Sequence, residues 1–383
     1  MESAESTPGK RSTEKKTFEV VYIKTLLLHD VQASDRVHTN GTEIRLGETN
    51  IFTCYNTMPG ASQIFTRVNL PPKVERAKKD PELTEWMSRH GPVLGSHQPL
   101  TVQRSEHDAF ITKSPYNIGK IEHTALNGPH GTIPVRVYHA SKRGPAHGAA
   151  LIYLHGGGYT VGTLDQFDNA MRIFSEVSGC QVYNVDYKLA PEYKWPTQMN
   201  EGEFVVRWLF ENAKERGVDA KRIAIGGDSA GGNMTCSITQ KLRDEGGPQV
   251  ALQIPIYPET KMPFETKAAV ENRVGEYVET AGVFSFLWNL LPPSVDYTQP
   301  YVTPLNAKDF SNLPRALVIN DGFDMLRDVA HEYARKLAAA GNDLVYIYND
   351  DLPHGFIQMA PFAGRCLEAT EEIANYIGKL LKA

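Results

Sequence analysis

Ser229 has the sequence surroundings of a nucleophile. It lies in residues 223–232, where an apolar stretch that predicts a strand runs through Gly-Asp-Ser-Ala-Gly-Gly into a stretch that predicts a helix. A serine on a sharp strand-to-helix turn needs small neighbours, because the backbone there is strained. The helix that follows directs its free N–H groups and its partial positive charge toward the reaction centre. An ordinary glycine-rich turn lacks these flanking elements, so the segment predicts a nucleophilic serine.

A run of glycines upstream of this serine predicts an oxyanion site. Residues 149–154 are apolar and strand-like, and they lead into His155 and the glycines at 156–158. Three glycines allow backbone N–H groups to point at a developing negative oxygen, and each such donor contributes about 3 kcal/mol in the transition state. A phosphate-binding loop would need Lys and Ser or Thr after the glycines, whereas this chain has Tyr159 and Thr160. His155 itself is predicted to be structural, because the loop uses its backbone.

The base that this serine needs is predicted to be His354. A serine hydroxyl is a poor nucleophile unless a base takes its proton and a third group orients that base. Downstream of Ser229, histidine occurs only at positions 331 and 354. His331 lies within a predicted helix, whereas His354 follows a predicted strand, at the end where parallel sheets carry their active sites. Because the imidazole must be neutral to accept a proton, activity is expected to fall in acid.

Three aspartates are candidates for the group that orients the base. Asp321, Asp324 and Asp328 all follow the strand predicted at residues 315–320. Asp328 fits the first turn of a helix, Asp321 is close enough to the strand to cap the turn, and Asp324 lies in the loop itself. Position alone favours Asp324 without excluding the other two.

The elements that position these residues alternate between strands and helices from about residue 149. Strands are predicted at 149–154, 181–186, 222–227, 250–257, 315–320 and 344–348, and helices at 200–216, 230–243, 326–340 and the C-terminus. Repeated strand–helix units predict an α/β fold, with a mostly parallel central sheet and helices on both faces.

A long insertion interrupts this alternation. Residues 258–312 are rich in proline and contain the aromatic group Phe284, Phe286 and Trp288. An insertion of this size in a compact domain usually has a role of its own, such as a lid. Its aromatic residues are candidates both for a pocket wall and for core packing.

The first 110 residues show no strand–helix rhythm. Within them, residues 18–28 and 64–70 look extended and residues 81–89 look helical. The apolar strand-like stretches argue against full disorder. The basic run at residues 10–16 is predicted to be a solvated tail.

Composition excludes several classes of protein. The chain has 383 residues, 41% of them hydrophobic and 22% charged, which is typical of a globular protein with a large core. A net charge of −5 gives no support for nucleic-acid binding. No stretch approaches the roughly 20 apolar residues of a membrane span, and the early residues lack a basic-then-apolar pattern, so neither a membrane span nor secretion by the usual signal is expected. The scattered Cys54, Cys180, Cys236 and Cys366 are predicted to be free buried thiols, so a cytoplasmic enzyme is expected.

Five motifs together resemble those of the hormone-sensitive-lipase-like esterase family. They are His155-Gly156-Gly157-Gly158, Tyr187-Lys188-Leu189-Ala190-Pro191-Glu192, Gly227-Asp228-Ser229-Ala230-Gly231-Gly232, Asp324-Met325-Leu326-Arg327-Asp328 and His354-Gly355-Phe356. They occur in the family's order and at plausible spacing. The resemblance implies an α/β-hydrolase fold with a helical cap and carboxylesterase activity on small-molecule esters with short to medium acyl chains. Such chemistry requires no metal and no organic cofactor.

The resemblance also implies roles for individual residues. The family's acid is the first aspartate of Asp-Pro-Leu-Arg-Asp, which corresponds to Asp324, although Met325 replaces the usual proline. Its oxyanion donors correspond to the backbone N–H groups of Gly157, Gly158 and Ala230. Candidates for the substrate pocket are Tyr159, Asp228, Phe284 and Trp288.

The same resemblance implies a domain organisation. Residues 1–77 have no counterpart in a typical member, and they form an extension that enlarges the cap, adds a subunit contact or hangs free. Residues 78–383 form the hydrolase domain, with a cap from about 78–110 and 258–312. Family members often pair through their last sheet strand, which implies a homodimer through residues 344–348.

Two other functions share part of this pattern. An amidase, lactonase or formamidase would use the same three side chains, since ester and amide cleavage pass through one kind of tetrahedral intermediate. A ligand receptor on a hydrolase fold, of the gibberellin-receptor type, would have lost the histidine that is present here as His354. The sequence therefore predicts catalysis and leaves the preference for ester, amide or lactone open.

Overall fold

The computed structural model describes residues 62–90, 93–95, 98–262, 264–280 and 282–382. These residues contain one nine-stranded sheet. Its strands are β1 (Gln63–Thr66), β2 (Lys120–Gly128), β3 (Gly131–His139), β4 (Ala150–Leu154), β5 (Gln181–Val185), β6 (Ile223–Asp228), β7 (Leu252–Ile256), β8 (Arg315–Phe323) and β9 (Leu344–Pro353). Their order is β1-β9-β8-β7-β6-β4-β5-β3-β2. The six strands β9, β8, β7, β6, β4 and β5 are parallel to one another. Strands β1, β2 and β3 pair antiparallel with their neighbours.

Helices cover both faces of the sheet. The helices of the described residues are α1 (Pro81–His90), α2 (Leu100–Glu106), α3 (Asp168–Ser178), α4 (Thr197–Asn212), α5 (Ala230–Asp244), α6 (Lys267–Glu271), α7 (Phe284–Leu290), α8 (Arg327–Ala339) and α9 (Gly364–Leu380). Helices α3 and α9 pack together on one face, and α4 packs with α5 on the other. The predicted fold class, an α/β-hydrolase fold with a mostly parallel sheet, is confirmed.

The central strand β4 shows why apolar runs form this sheet. All five of its residues are buried. Successive side chains of a strand point to opposite faces, and here Leu151 and Tyr153 join one apolar cluster while Ile152 and Leu154 join the other. A strand buried on both faces must be apolar at every position, which explains the continuous run in the sequence.

Two strands continue beyond their predicted ends. Strand β8 runs to Phe323 and β9 runs to Pro353, because their last residues pair with each other across an irregular register between Asp321 and Phe323. Asp321 therefore lies inside a strand and does not cap a turn as expected. The hairpin of β2 and β3 was not predicted at all.

The end of the predicted N-terminal extension belongs to the sheet. Strand β1 pairs antiparallel with β9, from Gln63 opposite Tyr348 to Thr66 opposite Val345. Residues 63–66 of the extension therefore belong to the sheet, whereas the expectation that the extension enlarges a cap, adds a subunit contact or hangs free stays a prediction, because residues 1–61 lie outside the described residues. Strand β1 occupies the edge of β9 at residues 345–348, within the strand through which a homodimer was expected, and the homodimer itself stays a prediction. The predictions for residues 10–16, residues 18–28 and Cys54 fall outside the described residues.

The structure bears on two predictions that were made from composition. In the described part of the chain, no helix has both the length and the apolar character needed to cross a membrane. Cys180, Cys236 and Cys366 are buried and free of disulfides.

Candidate active site

Ser229 occupies a strained turn between β6 and α5. Its backbone has φ 53° and ψ −116°, a combination that side-chain-bearing residues rarely adopt. Two hydrogen bonds hold the turn, since the Ser229 N–H donates to the Ile256 carbonyl and the Ser229 carbonyl accepts from the Asn233 N–H, both at 2.9 Å. Such a turn presents the side chain at the carboxyl end of the sheet.

Gly231 allows the start of helix α5 to touch the end of strand β4. A Cβ atom at this position would overlap the carbonyl oxygen of Leu154. We expect Gly231→Ala to lower the free energy of unfolding by about 3 kcal/mol, because backbone on both sides resists displacement. Gly364→Ala is the matched control, since a Cβ atom at this helix start meets its nearest atom at an ordinary 3.7 Å. Urea unfolding should separate the two variants, and equal stabilities would contradict the close packing.

Asp324 and His354 form a buried pair. Nδ1 of His354 lies 2.7 Å from Oδ2 of Asp324, and Oδ1 of Asp324 accepts from the Leu326 N–H at 2.7 Å. A carboxylate can only accept hydrogen bonds, so this contact assigns the imidazole proton to Nδ1 and leaves Nε2 as an acceptor. The ring of Tyr257 packs against the imidazole, with 4.6 Å between the ring centroids. The pair has the arrangement of a general base that is oriented by an acid.

The other candidates for acid and base lie elsewhere. Asp321 is buried inside β8, where burial and the nearby Asp324 raise its pKa well above the ordinary value. Asp328 lies in the first turn of α8 and accepts from the Ala268 N–H at 2.8 Å. Nδ1 of His331 lies 3.2 Å from the hydroxyl of Tyr346. Of the aspartates and histidines considered from the sequence, the structure brings only Asp324 and His354 together.

The predicted oxyanion residues have the required backbone geometry. Gly157 and Gly158 have φ angles of 111° and 57°, which glycine adopts without strain. Neither N–H group donates a hydrogen bond to another described residue. Ala230 is the first residue of α5, where N–H groups have no acceptor within the helix. All three N–H groups are thus available to an oxygen atom of a ligand.

Asp228 supports the glycine loop and does not line the cavity that opens beside Ser229. Its Oδ1 accepts from the hydroxyl of Tyr153 and from the N–H of Gly156, both at 2.8 Å. A Cβ atom on Gly156 would overlap the same carboxyl group. Burial raises the pKa of Asp228 to about 6. The expectation that Asp228 forms part of the substrate pocket is therefore corrected. Asp228, one residue before the predicted nucleophile, holds the glycine loop through the Gly156 N–H.

A narrow cavity of about 40 Å³ opens beside Ser229. Ser229, Ala230, Gly158 and Tyr159 line it, so the predicted nucleophile and two predicted oxyanion residues face one space. Its other walls include Leu94, Met262, Val278, Val283, Phe286, Met325 and Leu326. In the described residues, no group of three or more His, Cys, Asp or Glu side chains could hold a metal ion.

The aromatic residues of the insertion divide between the cavity and the surface. Phe286 lines the cavity, and a Cβ atom on Gly158 would overlap its ring. Trp288 has 70% of its surface exposed, and Phe284 packs near Phe264 with ring centroids 6.2 Å apart. Neither Trp288 nor Phe284 lines the cavity, which corrects their prediction as wall residues.

Arg104 of α2 ties the N-terminal part of the described chain to the loops around the site. Its guanidinium group forms a bidentate ion pair with the Glu192 carboxylate, with 2.8 Å from Nη1 to Oε1 and from Nη2 to Oε2. It also donates to the carbonyls of Thr160 and Ala190, at 2.9 and 3.2 Å. The pairing with Arg104 lowers the pKa of Glu192 to about 2. Glu192 thus has a structural role.

Glu259 is a residue of the site that the sequence analysis missed. It lines the cavity, and its N–H donates to the Ser229 carbonyl at 3.2 Å. Burial raises the pKa of its carboxyl to about 8. The sequence does contain a signal for this residue. Glu259 closely follows β7, and active sites form at the carboxyl ends of parallel strands.

The raised pKa of Glu259 predicts a pH-dependent stability. Between about pH 4.5 and 8 the folded state retains a proton on Glu259 that the unfolded state has lost. The free energy of unfolding therefore falls as pH rises through this window, by an amount on the order of a few kcal/mol. We expect Glu259→Gln to remove this contribution, so the variant should lose less stability than wild type between pH 5 and pH 8.

Denaturant unfolding of both proteins at several pH values measures the effect. Asp228 titrates in the same window and contributes equally to both proteins, so the comparison isolates Glu259. Parallel stability curves for the two proteins would show that Glu259 is not held neutral by burial.

Comparisons with known proteins agree with this architecture. A family model described as alpha/beta hydrolase fold matches residues 151–358. The chain is 35% identical to the carboxylic ester hydrolase LipN of Mycobacterium tuberculosis, over 66% of this chain and 68% of the relative. It is 34% identical to an ethyl acetate hydrolase of Pseudomonas putida, over 63% of this chain and 75% of the relative. The solved structure of an esterase from Pyrobaculum calidifontis superimposes with a TM-score of 0.73 at 30% identity, over 80% of this chain and 100% of that one.

Proposed function

Because the chain belongs to the α/β-hydrolase fold family, we propose that it is a serine carboxylesterase that hydrolyses small-molecule esters with short to medium acyl chains. One observation carries the proposal. A buried His354–Asp324 pair, with 2.7 Å between Nδ1 and Oδ2, lies at the same end of the sheet as a cavity lined by Ser229, Gly158 and Ala230. The names of the relatives, which include carboxylic ester hydrolase and ethyl acetate hydrolase, support the choice of esters.

In the proposed first step, the Ser229 hydroxyl attacks the ester carbonyl carbon. Nε2 of His354 takes the hydroxyl proton, and Asp324 stabilises the imidazolium through Nδ1–H. The carbonyl oxygen becomes an oxyanion that accepts hydrogen bonds from the N–H groups of Gly157, Gly158 and Ala230. The tetrahedral intermediate then collapses: the carbon–oxygen bond to the alcohol breaks, and His354 gives its proton to the leaving alcohol.

In the second step, water replaces the alcohol. His354 takes a proton from the water, whose oxygen attacks the acyl carbon on Ser229. The same N–H groups hold the second oxyanion. Collapse of this intermediate releases the carboxylic acid and returns the proton to the Ser229 oxygen. No step of the scheme uses a metal or an organic cofactor.

We propose further that two segments cap this site, about residues 78–110 and 258–312. Leu94 of the first segment forms a β-bridge with Val278 of the second. Both residues also line the cavity beside Ser229. A cap of this kind would exclude water from the acyl-enzyme and limit the size of the acyl group.

Activity against a matched series of substrates tests the proposed function. The series consists of p-nitrophenyl esters of increasing acyl length, up to palmitate, beside p-nitroanilides of the same acids. We expect hydrolysis of the short and medium esters, a decline for long chains because the cavity is narrow, and slower cleavage of every anilide. Anilides cleaved faster than their esters would assign an amidase, and a complete lack of ester hydrolysis would overturn the proposal.

A further inference from the structure

Glu259 carries the only carboxyl group among the described residues that line the cavity beside Ser229. Only 7% of its surface is exposed. Met262, Phe264 and Val278 make the surrounding wall apolar. Burial of a carboxyl group in apolar surroundings costs free energy, because the group loses its hydrogen bonds to water. A hydrogen-bonding partner is therefore expected for it.

The protein supplies a partner to only one of the two carboxyl oxygens. Oε2 of Glu259 accepts from Nδ2 of Asn233 at 3.1 Å. Oε1 is buried and has no hydrogen-bond partner in the described part of the chain. Buried polar atoms of native proteins are normally paired, and the exceptions often mark a functional site.

Asn233 does not account for the carboxyl group. Its Nδ2 also donates to the backbone carbonyls of Glu259 and Val302, at 2.7 and 2.9 Å. An amide NH₂ group has two protons, and these carbonyls can accept both. Hydrogen bonding to Asn233 therefore does not explain why residue 259 carries a carboxyl group, and Oε1 remains without a partner among the described residues.

The surroundings of Glu259 favour an uncharged ligand group. Burial raises the pKa of its carboxyl to about 8, which favours the neutral form at pH 7. A neutral carboxyl can donate one hydrogen bond and accept others, and a hydroxyl has the same two capacities. A substrate ammonium would instead require an ionised carboxylate in an apolar wall, which is costly.

We propose that Glu259 is a specificity-determining residue whose Oε1 hydrogen-bonds a hydroxyl group of the substrate close to the scissile ester carbonyl. The inference rests on the proposed esterase function and names the class of ester that the site takes. The hydroxyl belongs either to the acyl chain, as in a 3-hydroxyacyl ester, or to the alcohol, as in a monoester of a diol. The chemistry at Oε1 is the same in both cases.

Two pairs of substrates distinguish these sources. The acyl pair is p-nitrophenyl 3-hydroxybutyrate and p-nitrophenyl butyrate, and the alcohol pair is 2-hydroxyethyl butyrate and propyl butyrate. The readout is the ratio of kcat/KM for the hydroxylated member to that for the plain member. For the full-length wild-type protein, we expect a ratio of about ten or more in one of the two pairs, the contribution of one hydrogen bond to a buried group.

Variants of Glu259 connect this ratio to the carboxyl group. Glu259→Leu removes both oxygens, and the ratio should fall about tenfold. Glu259→Gln retains an acceptor and a donor at the same length, and should keep the ratio within about threefold of wild type. Glu259→Met is a second apolar variant in case the leucine variant does not fold. Unfolding curves establish which variants are folded.

Several outcomes would overturn the inference. One is a ratio near one in both pairs for wild type, and another is an equal ratio in wild type and in a folded apolar variant. A preference for p-nitrophenyl 4-aminobutyrate over both members of the acyl pair would assign a cationic ligand instead. Each of these results requires activity on plain esters, so each is distinct from failure of the proposed function, in which wild type hydrolyses none of the esters.

Discussion

Replacement of Ser229 by alanine is expected to lower kcat for p-nitrophenyl butyrate by about 10⁴- to 10⁶-fold. The change removes the attacking oxygen and little else. The strained backbone that holds residue 229 is compatible with alanine as well as serine, and the N–H groups of Gly157, Gly158 and Ala230 remain in place. The residual rate should therefore still exceed that of water, through oxyanion stabilisation and binding. Initial rates measured at high enzyme concentration, with kcat and KM determined separately, provide the test.

Ser237→Ala is the matched control for this experiment. Ser237 lies in the same helix α5 and is buried, with its Oγ 3.4 Å from Oδ1 of Asn233. We expect this variant to retain most of the wild-type activity. A fluorophosphonate should add one group to wild type and to Ser237→Ala, as measured by intact mass, but none to Ser229→Ala. Activity of Ser229→Ala within a hundredfold of wild type would assign the attack to another group.

The sequence predicted the parallel half of the fold well, for a physical reason. Strands such as β4 are buried on both faces, so they must be continuously apolar, and helices between them show a regular apolar period. The need for glycines next to Ser229 could also be predicted from the sequence. Gly231 lies where the start of α5 meets the carbonyl oxygen of Leu154, so the structure tolerates no side chain there.

The pairing at the edge of the sheet could not be predicted in this way, although residues 64–70 look extended in the sequence. Strand β1 has only four residues with alternating half-buried and exposed side chains, which is a weak signal. Its partner β9 lies far along the chain, and nothing local to Gln63–Thr66 specifies that pairing. The ends of β8 and β9 were hidden for another reason. The residues beyond the predicted ends include Asp321 and Asn349, polar types typical of loops, but here they are buried.

Side-chain direction within the insertion was open to prediction and was missed. Phe284, Phe286 and Trp288 lie in the short helix α7. Residues two apart on a helix point to opposite sides, whereas residues four apart share a side. If Phe286 faces the cavity, Phe284 and Trp288 must therefore face away from it, as observed.

The second large effect is expected from Asp324→Asn, which should lower kcat by about 10⁴-fold at neutral pH. Oδ1 of Asp324 accepts from the Leu326 N–H and Oδ2 faces Nδ1 of His354. An asparagine would keep its oxygen toward Leu326 and present its NH₂ group to Nδ1. The imidazole would then carry its proton on Nε2, so it could not take the proton of Ser229. KM should change little, because Asp324 does not line the cavity beside Ser229.

Asp321→Asn and Asp328→Asn separate this mechanism from a general loss of negative charge. Burial and the proximity of Asp324 raise the pKa of Asp321 well above its ordinary value, and asparagine is nearly isosteric with aspartate. Asp328 bonds the Ala268 N–H and Arg327, away from the imidazole. Both variants should retain kcat within about tenfold of wild type. If either of them lost as much activity as Asp324→Asn while remaining folded, orientation of His354 could not be assigned to Asp324 alone.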